Sequence, residues 1–179
     1  MPSNSEMKYK EIYPSEELVD YVASYWENTN PFDTPQKATI CPDGYFKLIV
    51  QLVNGKVSAY FLTGLWTKEM DIVIKPKVVT YGIRFKIIAS EYILSKSIKN
   101  LLNTIEQQSP DFMGVDKIKF DSFPNIVAQF EKILKQKLIH VEQKNGNRLR
   151  LSQFLYSTYG DIQAKEVANQ IYWSQREIN

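Results

Sequence analysis

The spacing of apolar residues changes near the middle of the chain. Up to about residue 86, short apolar runs are separated by turn-forming residues. Val79, Tyr81, Ile83 and Phe85 alternate with Val78, Thr80, Gly82 and Arg84. A period of two puts successive side chains on opposite faces of a strand. Residues 45–53 and 56–63 read as two strands joined at Asn54-Gly55, a dipeptide suited to a tight hairpin turn. Residues 38–41, 70–74 and 77–86 add further strands. Pro42-Asp43-Gly44 and Pro76 supply turns, residues 30–36 form a Pro-bounded loop, and Gly64 interrupts before Leu65-Trp66. Upstream, Ser15 is placed to cap a short helix that passes into a strand near Tyr21. Many short strands with turns between them predict a small antiparallel sandwich or barrel.

Beyond residue 88 the period lengthens. Residues 89–94 and 98–107 predict short helices, and 109–122 a loop. Phe123, Ile126, Val127, Phe130, Ile133, Leu134, Leu138 and Val141 recur at three and four, the stripe of an amphipathic helix over 123–141. That stripe can pack within the chain or form a dimer seam, and packing within the chain is the preferred reading. Lys144-Asn145-Gly146-Asn147 is a polar break. It divides the chain into 1–143, β-rich to about 88 and helical over 89–143, and 144–179. After the break a helix opens at Leu149-Arg150-Leu151 and runs to Tyr159, where Gly160 stops it. Asp161 caps a second helix over 163–169, with Val167 and Ala168 inward. Ile171-Tyr172-Trp173 turns the chain, and Ser174 caps another helix with Glu177 at the capping-box position. Helix, tight turn, Ser-capped helix fits a helix-turn-helix or an ordinary helical hairpin. The fold class is therefore α+β.

Composition narrows the chemistry. The 179 residues contain one histidine and one cysteine. A catalytic zinc site wants three protein ligands and a non-haem iron site two histidines with a carboxylate. His140 and Cys41 cannot supply either, so no metal and no cofactor is expected. A Ser-His-Asp or Cys-His arrangement would have to pass through His140, which reads as an ordinary histidine late in the amphipathic helix. No glycine loop of the phosphate-binding kind occurs. The polar N-terminus lacks the apolar core of a signal peptide, and no apolar run reaches the roughly 20 residues of a spanning helix. The expectation is a cytoplasmic protein that is not an enzyme and has no membrane partner. An enzymatic rival would use Asp43 or Glu69 as acid or base.

The order of several short motifs adds a family. Val167-Ala168 followed by Ser174-Gln175-Arg176-Glu177-Ile178-Asn179 resembles the AraC/XylS signature of transcription regulators. There an Ile/Val-Ala pair lies on the first helix of the motif, and Ser-x-Arg-x-Leu opens the recognition helix. Upstream, Tyr13-Pro14-Ser15, Tyr25-Trp26, Pro42-Asp43-Gly44, Thr63-Gly64-Leu65-Trp66 and Gly82-Ile83-Arg84-Phe85 resemble N-terminal domains of a subset of these regulators. The resemblance implies a cupin-like β domain that senses a small-molecule effector or mediates homodimerisation. A helical connector and a DNA-binding segment follow. It implies that Ser174, Gln175 and Arg176 contact DNA in the complete protein. The sequence stops at Asn179, inside the recognition helix of that family, so the 179-residue chain is expected to bind DNA poorly. In the β domain, Trp26, Trp66, Tyr81 and Arg84 are the candidate ligand residues, since aromatic walls with a few polar anchors are typical of small-molecule pockets. Arg84 is expected to be either the partner of a carboxylate such as Asp43 or an anion anchor. The alternative from another class is a stand-alone ligand-binding or protein-interaction module.

Overall fold

The computed structural model describes residues 6–139, 146–163 and 165–167. The chain forms two compact units, Met1–Leu138 and Ile139–Asn179. The first is α+β. Its eight strands are β1 (Lys8–Ile12), β2 (Val22–Thr29), β3 (Gln36–Ile40), β4 (Phe46–Val53), β5 (Lys56–Thr63), β6 (Met70–Ile74), β7 (Val78–Phe85) and β8 (Ile105–Gln107). All pairings are antiparallel, in a six-stranded sheet of order β1-β2-β7-β4-β5-β8 and a two-stranded sheet β3-β6. The larger sheet is open, with β1 and β8 as its edges. The plan is cupin-like only loosely.

The expected hairpin is present. Asn54 and Gly55 take φ values of 51° and 74°, both left-handed, as a two-residue turn between twisted strands requires. Other details differ. β1 was not expected, because Lys8-Tyr9-Lys10-Glu11-Ile12 carries a single aliphatic residue. Ser15 caps nothing. Its backbone N–H donates to Glu131 Oε1 at 2.7 Å, its hydroxyl has no partner, and residues 16–21 form turns rather than a helix. Residues 98–107 are not a helix either. A 3₁₀ turn, Lys99–Leu101, leads through Asn103 at φ 56° into β8. A left-handed residue cannot continue a right-handed helix, and the free edge of β5 offers these backbone groups better partners.

Helix α1 (Ala89–Tyr92) follows β7, and α2 (Phe123–Ile139) closes the first unit. Pairing across the large sheet sorts its side chains by parity. One face carries Tyr25, Ile83, Leu48 and Leu62 in one row, and Glu27, Tyr81, Val50 and Tyr60 in the next. Helix α2 packs here. Tyr25 stacks on Phe130 with ring centres 6.3 Å apart, and Ile126 and Leu134 are wholly buried. The apolar stripe of α2 is thus buried against its own sheet, as the preferred reading of packing within the chain expects. At about 25 cal/mol per Å², burying such side chains is the main stabilising term of the unit.

In the second unit α3 (Gly146–Ser157) is followed by Tyr159 and Gly160 at φ 54° and 74°. The Gly160 N–H donates to Leu155 O at 2.9 Å and so ends the helix. A further helical turn covers 165–167. Its start is held by Glu166, whose carboxylate accepts the Gln163 N–H at 3.4 Å, so the cap falls on Gln163 rather than Asp161. Val167 is buried, as its inward assignment requires. His140, Ala168 and the Ser174–Arg176 stretch lie outside the described residues. No described helix is long and apolar enough to cross a membrane.

Candidate functional site

The other face of the large sheet carries no such apolar layer. Antiparallel register builds it as a grid across β2, β7 and β4. Ser24, Arg84 and Lys47 form one row, Trp26, Gly82 and Ile49 the next, and Asn28, Thr80 and Gln51 the third. Edge strand β1 adds Glu11 beside Trp26 and Tyr9 beside Asn28. Strand β5 adds Thr63 beside Lys47 and Phe61 beside Ile49. Ser24, Lys47, Thr63 and Thr80 are buried, whereas Trp26, Asn28, Ile49, Gln51, Phe61 and Arg84 keep partial exposure.

Two charge pairs organise the grid. Arg84 Nη1 donates to Glu11 Oε1 at 2.7 Å and lies 3.5 Å from Ser24 Oγ. Lys47 Nζ stands 2.8 Å from Asp43 Oδ2, which is also 3.7 Å from Arg84 Nε. The Asp43 carboxylate beside it offsets the cost of burying the Lys47 ammonium. Asp43 has a second role: its Oδ1 accepts the Tyr45 N–H at 3.2 Å and fixes the turn before β4. Tyr9 hydrogen-bonds both Arg84 and Glu11. Partial burial raises its phenol pKa, and Arg84 opposes the rise.

Trp26 lies across Gly82. A Cβ at Gly82 would sit 2.1 Å from indole Cε2 and 2.4 Å from Nε1, so only glycine admits the ring there. Eight buried side-chain polar atoms among the described residues lack a hydrogen-bond partner. Four of them are on this face: Trp26 Nε1, Asn28 Oδ1, Arg84 Nε and Lys47 Nζ, which is ion-paired with Asp43 but makes no hydrogen bond. Such atoms are uncommon in folded proteins, and their gathering on one sheet face marks a candidate binding surface.

The candidate residues therefore separate. Trp26 and Arg84 share the polar face. Tyr81 points the opposite way, into the core, with Phe120 and Phe123 at 5.6 and 6.2 Å between ring centres. Burial first and Glu27 second push its phenol up to about 12. Trp66 is buried beyond the end of β5, next to Thr67, whose N–H donates to Asn103 Oδ1 at 2.8 Å. Arg84 is a carboxylate partner, as one of its two readings held, but its nearer carboxylate is Glu11 rather than Asp43. Sequence reasoning missed Glu11 and Lys47. The signal for Lys47 was a charged residue inside an otherwise apolar strand.

A concavity of about 550 Å³ opens between the β1 edge and the start of α2, lined by Lys10, Glu11, Ile12, Glu27, Asp121 and Phe123 among others. Glu27 is buried there, held by Lys10 Nζ at 2.7 Å and by the Tyr81 hydroxyl. Hydrogen bonds from the Ser122 N–H and from Asn125 hold the Asp121 carboxyl below its usual range. The charged groups of this cleft already have partners, Lys10 with Glu27, Glu11 with Arg84 and Asp121 with Asn125, so the polar face is the better candidate.

The comparison with known families falls within the first unit. Residues 10–107 match the family described as "Domain of unknown function (DUF6597)". That span runs from within β1 to the last residue of β8 and covers more than half of the chain. The chain belongs to this family. No curated protein and no solved structure matches it.

Proposed function

We propose that this chain is the N-terminal, effector-sensing part of an AraC-type transcription regulator, with the polar sheet face as the sensing surface. The observation that carries the reading is the gathering of Trp26, Arg84, Lys47 and Asn28 on that face with hydrogen-bonding atoms left over. The regulator class rests on the ordered motifs from Tyr13-Pro14-Ser15 to the Ser174–Asn179 segment. The buried Val167 and the end of α3 at Gly160 are compatible with it. In this account Ser174, Gln175 and Arg176 meet DNA only in a complete recognition helix, and the chain works in the cytoplasm without performing chemistry. Effector binding shifts the β domain between two arrangements that differ in their affinity for it.

Two measurements test the reading. Thermal unfolding of the 179-residue chain against a library of small polar metabolites should yield at least one compound that raises Tm. A ligand that binds only the native state must do so by mass action. Reading the source locus past the codon for Asn179 should continue the recognition helix, and the complete product should bind a specific duplex. If no compound shifts Tm and the complete product binds no duplex specifically, the regulator reading falls. A stand-alone interaction module is then the surviving account.

A further inference from the structure

We infer that the polar sheet face takes a small carboxylate, gripped by Arg84, Lys47 and the indole N–H of Trp26. The inference rests on the reading of this face as an effector site and adds the chemistry of the effector.

Three of the four buried atoms on the face that make no hydrogen bond are donors: Trp26 Nε1, Arg84 Nε and Lys47 Nζ, the last already ion-paired with Asp43. The fourth, Asn28 Oδ1, belongs to an amide that can turn and present its NH₂ group instead. The ligand that completes this set brings acceptor lone pairs. A carboxylate has two oxygens, about four acceptor sites and no proton to place. A polyol brings a donor with every acceptor. An ammonium brings donors alone, against two cations.

Charge points the same way. Arg84 and Lys47 are balanced by Glu11 and Asp43, so the cluster is neutral as it stands. The Lys47 side chain is 10% exposed, but those of Asp43 and Glu11 are 28% and 27% exposed. The resident carboxylates can turn toward water, whereas the ammonium is confined. An incoming carboxylate that replaces one of them takes over its pairing and leaves no uncompensated buried cation. Arg84 Nε is 3.7 Å from Asp43, too far for a hydrogen bond, so this N–H is open to a closer oxygen. The remainder of the ligand meets the Trp26 ring, Ile49 and Phe61, all partly exposed. It should therefore be apolar or flat.

Isothermal titration of the 179-residue chain with phenylacetate, phenylacetamide, phenethylamine and glucose distinguishes these chemistries. Phenylacetate should bind and the other three should not. Trp26→Phe keeps a ring over Gly82 and removes the N–H, and should weaken phenylacetate about fivefold to tenfold. Arg84→Gln removes a charged donor and should weaken it about tenfold to a hundredfold. Val73→Ser, on exposed β6, should leave binding unchanged. Circular dichroism of each variant separates lost binding from lost fold, and Trp26→Phe serves if Arg84→Gln does not fold. Binding of the amide or of glucose in place of phenylacetate overturns the carboxylate and leaves the sensing surface standing. Binding of phenylacetate undiminished by both variants places it elsewhere and overturns the inference. Binding of none of the four also overturns it, while the wider library then decides the sensing reading separately.

Discussion

The indole of Trp26 occupies the space above Gly82 that any other residue would fill with its own side chain. The two are direct cross-strand partners on β2 and β7. The ring covers the backbone of the central strand, and its N–H is held under cover. Gly82→Ala should drive the ring off this position. A destabilisation of about 1–3 kcal/mol is expected, as for overpacking elsewhere. Denaturant midpoints would measure it, and a shifted Trp emission maximum would show that the ring had moved. An unchanged emission spectrum would mean that the ring does not depend on the glycine.

Tyr25 gives an opposite case. Its ring is fully buried against Phe130, and its hydroxyl has no hydrogen-bond partner. Tyr25→Phe removes an unsatisfied polar group and keeps the ring. It should leave stability unchanged or raise it by up to about 1 kcal/mol, because the desolvation cost of the hydroxyl disappears. A loss above that size would show that the hydroxyl has a partner, such as a bound water.

Buried phenols also set the alkaline limit. The Tyr81 phenol is raised from 10.0 to about 12 by burial, then by Glu27, and burial raises Tyr25 as well. A raised folded-state pKa contributes stability that is complete below the unfolded value and is lost as pH climbs toward the folded one. Stability should therefore hold up to about pH 10 and fall between about 10 and 12. Urea midpoints across that range check the sign. Tyr81→Phe should flatten the decline, and a decline of unchanged steepness would assign it to other groups.

The ion pair between Arg84 and Glu11 should matter more for order than for stability. Both side chains are over a quarter exposed, so the pair is worth at most about 1 kcal/mol. Yet it ties the outermost strand to the centre of the sheet. Glu11→Gln should cost about that much or less and should speed amide hydrogen exchange at Lys8–Ile12 selectively. Equal acceleration in β4 would contradict a local role.

Helix α2 supplies the core test. Phe130 is buried among Tyr25 and its neighbours. Phe130→Ala should cost about 3–5 kcal/mol. If the stripe were instead a dimer seam, the loss would depend on protein concentration, so unfolding at two concentrations checks it.

Much of this fold was legible because its signals are local. Asn54-Gly55 set the hairpin, and the alternation through Val78–Phe85 set the faces of β7. The misses had physical causes. β1 is an edge strand that makes ladder hydrogen bonds on one side only, and it needs few apolar residues to hold its place. Ile98, Leu101, Leu102 and Ile105 mimic helical spacing, but left-handed Asn103 breaks the run. The candidate site was half legible. Tyr81 and Arg84 are three residues apart on one strand, and an odd separation places them on opposite faces. Parity alone separates them. The Glu11 contact required the strand pairing itself, since the two residues are 73 positions apart.

Asp43 holds the turn with one oxygen and the two cations with the other. The turn joins the end of β3 in the small sheet to the start of β4 in the large one. Electrostatics and backbone shape therefore share one carboxyl group. A rotation of that group which frees the cations also loosens the corner of the chain. The pairing of the two cations and the shape of the corner between the two sheets are, at this residue, a single mechanical variable.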